Sequence, residues 1–188
     1  MSSFKFYIIG TAKSQKQSQY YISERWRMWG ILFYTGKIDK YWKNMDDFLE
    51  NANQDFAEKN HFKFVDLINE IYALDSQIDF SDENTKTDIL KNTQAIINSD
   101  VQNLIFNGKK ALHTFLFGCT LIDVNLNSSV RLKKMINECD YGKQPLKMDT
   151  FFSNDFLAKK NIYLAPNTSS TAKSYNEFHW IDILNEIK

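Results

Sequence analysis

Residues Phe6 to Trp29 read FYIIG, then TAKSQKQSQ, then YYISERWRMW. A compact apolar run closed by Gly10 is the signature of a buried strand. The polar stretch after it reads as a turn, and the aromatic-rich segment as the entry to a helix. In open α/β folds, ligands bind beyond the carboxyl ends of the strands. The residues following Gly10 are therefore the first place to look for a site.

Outward from this stretch, apolar runs and helical patterns alternate. Ser23 is a candidate helix cap, with Arg25–Tyr34 as the body and Gly36 as the stop. Residues 39–60 are polar and helical, with Tyr41, Trp42, Phe48 and Phe56 as apolar anchors. His61–Ile68 (HFKFVDLI) reads as a second strand. Thr85–Ile97 reads as a helix with Asp88 near its start, and Val101–Phe106 as a third strand. Asn107-Gly108 makes a turn into a helix over Lys109–Leu116. Ile162–Leu164 is a short fourth strand, followed by the loop APNTSSTAKS and a closing helix over Tyr175–Ile187. Strands alternating with helices predict an α/β fold whose parallel sheet is covered on both faces. Residues 123–158, polar and mixed with Gly142 and Pro145 inside, read as an insertion that is part helix and part loop.

The length of 188 residues suits one domain, 1–188, and 43% hydrophobic content supports a real core. A formal net charge of +0 neither demands nor excludes nucleic acid, because a binding footprint needs only one basic face. The 15% aromatic content serves core packing or ring stacking on a ligand. Cys119 and Cys139 form no CxxC pair, and His61, His113 and His179 are scattered, so no zinc spacing is present. Without a signal-peptide pattern or an apolar run near roughly 18 residues, a reducing, cytoplasmic setting and no membrane partner are expected.

Four segments together resemble the uracil-DNA glycosylase superfamily, most closely its hypoxanthine-DNA glycosylase branch. That branch ends its first strand in a Gly-x-x-Pro-Gly turn followed by a Tyr-Tyr…Asn-x-Phe-Trp segment. Gly10, then Gln19-Tyr20-Tyr21, Arg25 and Trp29 stand in the matching places. Asp66, Leu74-Asp75-Ser76 and Ile78 look like the branch's Trp-Asp-Val and Leu-Asp-Ser-x-Ile. Phe106, Asn107, Gly108, Ala111 and Phe115 are similar to its Phe-Asn-Gly-x-x-Ala-x-x-x-Phe. Pro166, Thr168 and Ser169 are similar to its Leu-Pro-Ser-Thr-Ser-Pro-Ala loop. The resemblance implies a three-layer α/β/α sandwich with a central four-stranded parallel sheet. It implies a monofunctional DNA glycosylase that acts on DNA as a monomer, using water and neither metal nor cofactor. Two departures matter. The turn after Gly10 is shorter and lacks the Pro and second Gly, and Trp26 stands where the branch carries its catalytic Asn.

A glycosylase takes its base out of the stack and holds it in a pocket. Tyr20, Tyr21 and Trp26 are candidates to stack on that base. Trp26 and Trp29, three residues apart, share a helix face and equally suit a core. Glu24 and Asp66 are the candidate catalytic carboxylates, because a fixed anion or activated water favours a cation-like sugar. Glu24 also suits a first-turn helix acid, and Asp66 a structural hydrogen bond. As a base-pocket residue, Asp66 would accept from an exocyclic amine such as the N4 amine of cytosine and repel the O4 of uracil. Asn107 is a further pocket candidate. Gly108 and Lys109, with Asn167, Thr168, Ser169, Ser170 and Lys173, are candidates for the DNA backbone, since hydroxyls and backbone amides clamp phosphates. Arg131, Lys133 and Lys134 form either a solvated face or a DNA-tracking strip.

The expectation is a glycosylase with a rebuilt pocket for a modified or bulky base. A hydroxymethylcytosine or its glucosylated form in phage DNA is one such base, which would make the enzyme a defence protein. The alternatives are a repair glycosylase for hypoxanthine or uracil, and a non-catalytic DNA-binding member of the fold. A hydrolase of free nucleosides is disfavoured by the long polar loop Asn167–Ser174.

Overall fold

The structure, a computed structural model, describes residues 4–14, 27–39, 54–72, 77–122, 134, 136–142, 145–146, 157, 159–168 and 176–187. Four strands, β1 (Phe6–Ser14), β2 (Phe62–Tyr72), β3 (Asn103–Asn107) and β4 (Asn161–Ala165), form one all-parallel sheet in the order β2-β1-β3-β4. Among the described residues, the helices that flank it are α1 (Arg27–Tyr34), α2 (Gln54–Lys59), α3 (Glu83–Ile97), α4 (Lys109–Ile122) and α5 (Glu177–Glu186).

Strand alternation sorts most of the apolar residues into two cores, and a third, smaller cluster of Ile68, Ile78 and Ile89 packs beside α3. Phe6 and Ile8 of β1, Phe62 and Phe64 of β2, Ile105 of β3 and Tyr163 of β4 face α1, α2 and α5. Ile9, Leu104, Phe106, Ile162 and Leu164 face α3 and α4. The result is the three-layer α/β/α sandwich with a central four-stranded parallel sheet. Trp29 is 2% exposed and meets Phe64 edge-on at 5.4 Å, with Phe56 and Phe62 both at 6.1 Å. Trp29 is thus a core residue, whereas its helix-face partner Trp26 lies outside the described residues.

The ends of elements differ from the sequence reading for local reasons. β1 does not stop at Gly10. Thr11–Ser14 continue as strand because β2 runs alongside as far as Tyr72, with a register shift between Ala12 and Lys13. The polar turn expected directly after Gly10 is therefore corrected to four more residues of ladder. β2 starts at Phe62 rather than His61, whose φ of 63° places it in the left-handed turn that ends α2. α3 starts at Glu83, two residues before Thr85, because the Asp82 carboxylate caps it by accepting from the Thr85 amide at 2.7 Å. Gly36 does stop α1. At φ 67° its amide donates to Phe33, and Lys37 donates back to Leu32, closing a Schellman turn. The candidate cap Ser23 and the anchors Tyr41, Trp42 and Phe48 lie outside the described residues.

Part of the 123–158 segment closes the sheet edge. The Gly142 and Leu146 amides donate to the Leu164 and Ile162 carbonyls of β4 at 3.2 and 2.7 Å. Ile136 and Leu157 are buried in the α3–α4 core. An edge strand covered in this way is protected against pairing with other chains. Among the described residues, no helix is long and apolar enough to cross a membrane.

α3 and α4 cross closely. A Cβ on Gly118 would lie 2.1 Å from the Thr93 hydroxyl oxygen and 2.9 Å from its Cβ. That hydroxyl is buried with no hydrogen-bond partner among the described residues. Gly118→Ala is expected to lower unfolding stability by ~1–3 kcal/mol through overpacking. Thr93→Val keeps the shape while removing the orphan hydroxyl, and is expected to raise stability by ~1 kcal/mol. Urea denaturation reads both changes, and an unchanged midpoint for Gly118→Ala would contradict the close crossing.

Candidate functional site

The chain leaves β1 over the α1–α2 face to reach β2 on one side. It returns over the α3 face to β3 on the other side of β1. The carboxyl ends of β1 and β3 therefore bracket the topological switch point, where open α/β sheets bind ligands.

A row of residues crosses the sheet at this level. Asp66 of β2 is in register with Gly10 of β1. Ile9 is in register with Phe106, so Gly10 and Asn107 come next on their strands, and Asn107 is in register with Ala165. Alternation puts Asp66 after Phe62 and Phe64, Gly10 after Phe6 and Ile8, and Asn107 after Ile105, on the α1–α5 face, and it ends at this row: Ala12 and Ile68, two residues on, pack with Ile89 of α3. Asp66 and Asn107 thus stand on either side of a strand position that carries no side chain. Two strand spacings put them roughly 10 Å apart. Asp66 is 9% exposed. Beyond the row, Thr11–Ser14 of β1 and Ile68–Tyr72 of β2 project past the ends of β3 and β4.

The loop after β4 is clamped to this row. The Thr168 amide donates to Asn107 Oδ1 at 2.9 Å, and Asn107 Nδ2 donates to Thr168 Oγ1 at 3.2 Å. Thr168 is fully buried, so its hydroxyl serves Asn107 inside the protein. The Gly108 amide donates to the Ala165 carbonyl at 2.8 Å. Gly108 has φ 97°, and a Cβ there would lie 3.1 Å from Asn167 Cβ. Both the left-handed turn and the close approach require glycine. One buried contact holds the loop from behind: Trp180 Nε1 of α5 donates to the Pro166 carbonyl at 2.7 Å.

Lys109 points elsewhere. Its Nζ donates to the Asn137 carbonyl at 2.6 Å and lies 5.5 Å from the centre of the Tyr141 ring. It joins α4 to the 136–142 segment. Burial pushes the Cys139 thiol up, against the opposing pull of Lys109, so it stays protonated near neutral pH. Among the described residues, no three His, Cys, Asp or Glu side chains gather as metal ligands.

Of the sequence-predicted site residues, Asp66, Asn107, Gly108, Asn167 and Thr168 are brought to the carboxyl end of the sheet. Tyr20, Tyr21, Glu24, Trp26, Ser169, Ser170 and Lys173 lie outside the described residues, as do Arg131 and Lys133. Three residues that sequence reasoning left aside, Phe80, Lys110 and His113, line an open cleft of about 390 Å³ at the start of α4. Their only sequence signal is the Lys109-Lys110 pair one turn before His113. No protein-family model matches the chain, and no match is found among curated proteins.

Trp180→Phe keeps the ring but removes the indole donor, leaving the Pro166 carbonyl unpaired in a buried setting. The expected cost is ~1–3 kcal/mol, read as a lowered thermal midpoint. An unchanged midpoint would show that this bond does not hold the loop.

Proposed function

We propose that the chain is a monofunctional DNA glycosylase for a modified or bulky base. The observation that carries the reading is the row at the switch point: a mostly buried carboxylate and a clamped amide flank the side-chain-free position at Gly10. A flipped base seated over Gly10 would present its edge to Asp66. The carboxylate only accepts hydrogen bonds, so it selects an exocyclic amine, as on a modified cytosine. Flipping costs a few kcal/mol, and Asn167, the partly exposed residue of the Pro166–Thr168 loop, would meet the DNA backbone to offset it. In the reaction, water adds to C1′ of the sugar and the C–N bond breaks, its electron pair leaving with the base. The proton released by water passes to a carboxylate, for which Glu24 is the candidate from the sequence.

A second reading, a nucleic-acid-binding module without catalysis, is favoured by one observation. Asn107 already engages Thr168 through both ends of its amide, which leaves it less to offer a base. Trp26, at the position of the resembling branch's catalytic Asn, points the same way.

The test is abasic-site formation on duplexes carrying uracil, hypoxanthine, hydroxymethylcytosine or glucosylated hydroxymethylcytosine, followed by alkali. Strand breaks are expected only on the modified cytosines. Asp66→Asn, which keeps the size of the side chain and removes its charge, is expected to lower the rate at least 100-fold, with a thermal midpoint near that of the parent. Breaks on uracil or hypoxanthine alone would overturn the proposed substrate. Duplex binding with no breaks would establish the binding module instead.

A further inference from the structure

The cleft lies at the start of α4, just beyond Asn107 in sequence, and is walled by Ile136 of the α3–α4 core and by Ile78 of the smaller cluster beside α3. One side of it is cationic. Lys109 and Lys110 open α4, and His113 follows Lys110 by one turn. The other walls are apolar, formed by Ile78 and Phe80 from the approach to α3 and by Ile136. No carboxylate lines the cleft among the described residues. Glu138 and Asp140, close by in sequence, are exposed and outside it.

The basic groups are held in place. Lys110 Nζ stands 4.8 Å from the centre of the Phe80 ring, a cation–π contact that leaves its N–H donors for an anion. His113 meets the same ring edge to face at 5.6 Å. Lys109 reaches across to the Asn137 carbonyl, using one of its three N–H groups. The first turn of α4 contains no acid, so the helix dipole adds to the same positive field. The cleft falls within the ~300–1,000 Å³ range of small-ligand sites.

A site with clustered cations on one side and apolar walls on the other suits an anion that carries a ring. The geometry points to this cleft as a binding site for a nucleoside phosphate. The phosphate lies among Lys109, Lys110 and His113, and the base or sugar lies against Ile78, Phe80 and Ile136. The same chemistry is offered by a free mononucleotide and by a nucleotide unit within a strand. The inference does not rest on glycosylase activity.

Calorimetric titration tests it with four probes: thymidine, thymidine 5′-monophosphate, inorganic phosphate and an eight-residue oligothymidylate. Saturable binding of the monophosphate is expected, at least tenfold tighter than thymidine and than phosphate alone. Lys110→Gln and Phe80→Ala should each weaken it at least tenfold, whereas Lys59→Gln, exposed on α2 and outside the cleft, should leave it unchanged. The thermal midpoint of each variant checks folding. Oligothymidylate binding tenfold tighter than the monophosphate identifies a strand as the source, and equal or weaker binding identifies the free nucleotide. Equal affinity for thymidine and its monophosphate, insensitivity to Lys110→Gln, or no saturation by millimolar ligand would overturn the site. Nucleotide binding without abasic product would sink the glycosylase reading alone.

Discussion

The pairing of Phe6–Ile9 with strands on both sides is the constraint from which the rest follows. Each of these four residues is in register with β2 and with β3 at once. Their backbone groups are satisfied within the sheet, and their side chains must be apolar on both faces. Phe6 and Ile8 enter one core, Ile9 the other, and Tyr7 packs at its margin. A polar substitution at Ile8 or Ile9 would leave an unsatisfied group between a sheet and a helix layer. This is why β1 reads as a continuous apolar run rather than an alternating one.

The same pairing creates the site. β1 has β2 on one side and β3 on the other, so the connections out of β1 and into β3 run over opposite faces of the sheet. They separate at the carboxyl ends, the place where open α/β sheets bind ligands. Gly10 occupies the strand position at that point. Asp66 and Asn107 flank it on the two neighbouring strands, and the Asn107–Thr168 pair ties in the loop after β4. Trp180 then couples the loop to the α5 layer. The row is thus supported by the backbone ladder on three strands and by one buried indole contact.

The strands are readable in the chain because each is an apolar run ended by a polar or glycine signal. What lies between the runs is less legible. TAKS has no apolar periodicity, and its strand conformation comes from β2 running beside it. Asp82 and Glu83 are a cap signal by type, but only the observed bond to the Thr85 amide selects them over Thr85 as the start. Asp66 and Asn107 are visible as polar residues ending apolar runs. The mutual bonding of Asn107 and Thr168 is not visible, because the two are 61 residues apart in sequence. The cleft is harder still. Its cations come from one helix and its apolar walls from two other segments, so no single stretch of sequence carries the pattern.

The proposed function requires ligand binding at the carboxyl end of the sheet, around the β1–β3 junction. Amide chemical-shift mapping of the isotope-labelled protein with a short oligonucleotide addresses it most directly. Besides shifts at the cleft residues Phe80, Lys110 and His113, large shifts should fall on Gly10, Asp66, Asn107, Gly108 and Thr168. Shifts confined to the amino end of the sheet, at Lys5, Phe62, Asn103 and Asn161, would contradict it.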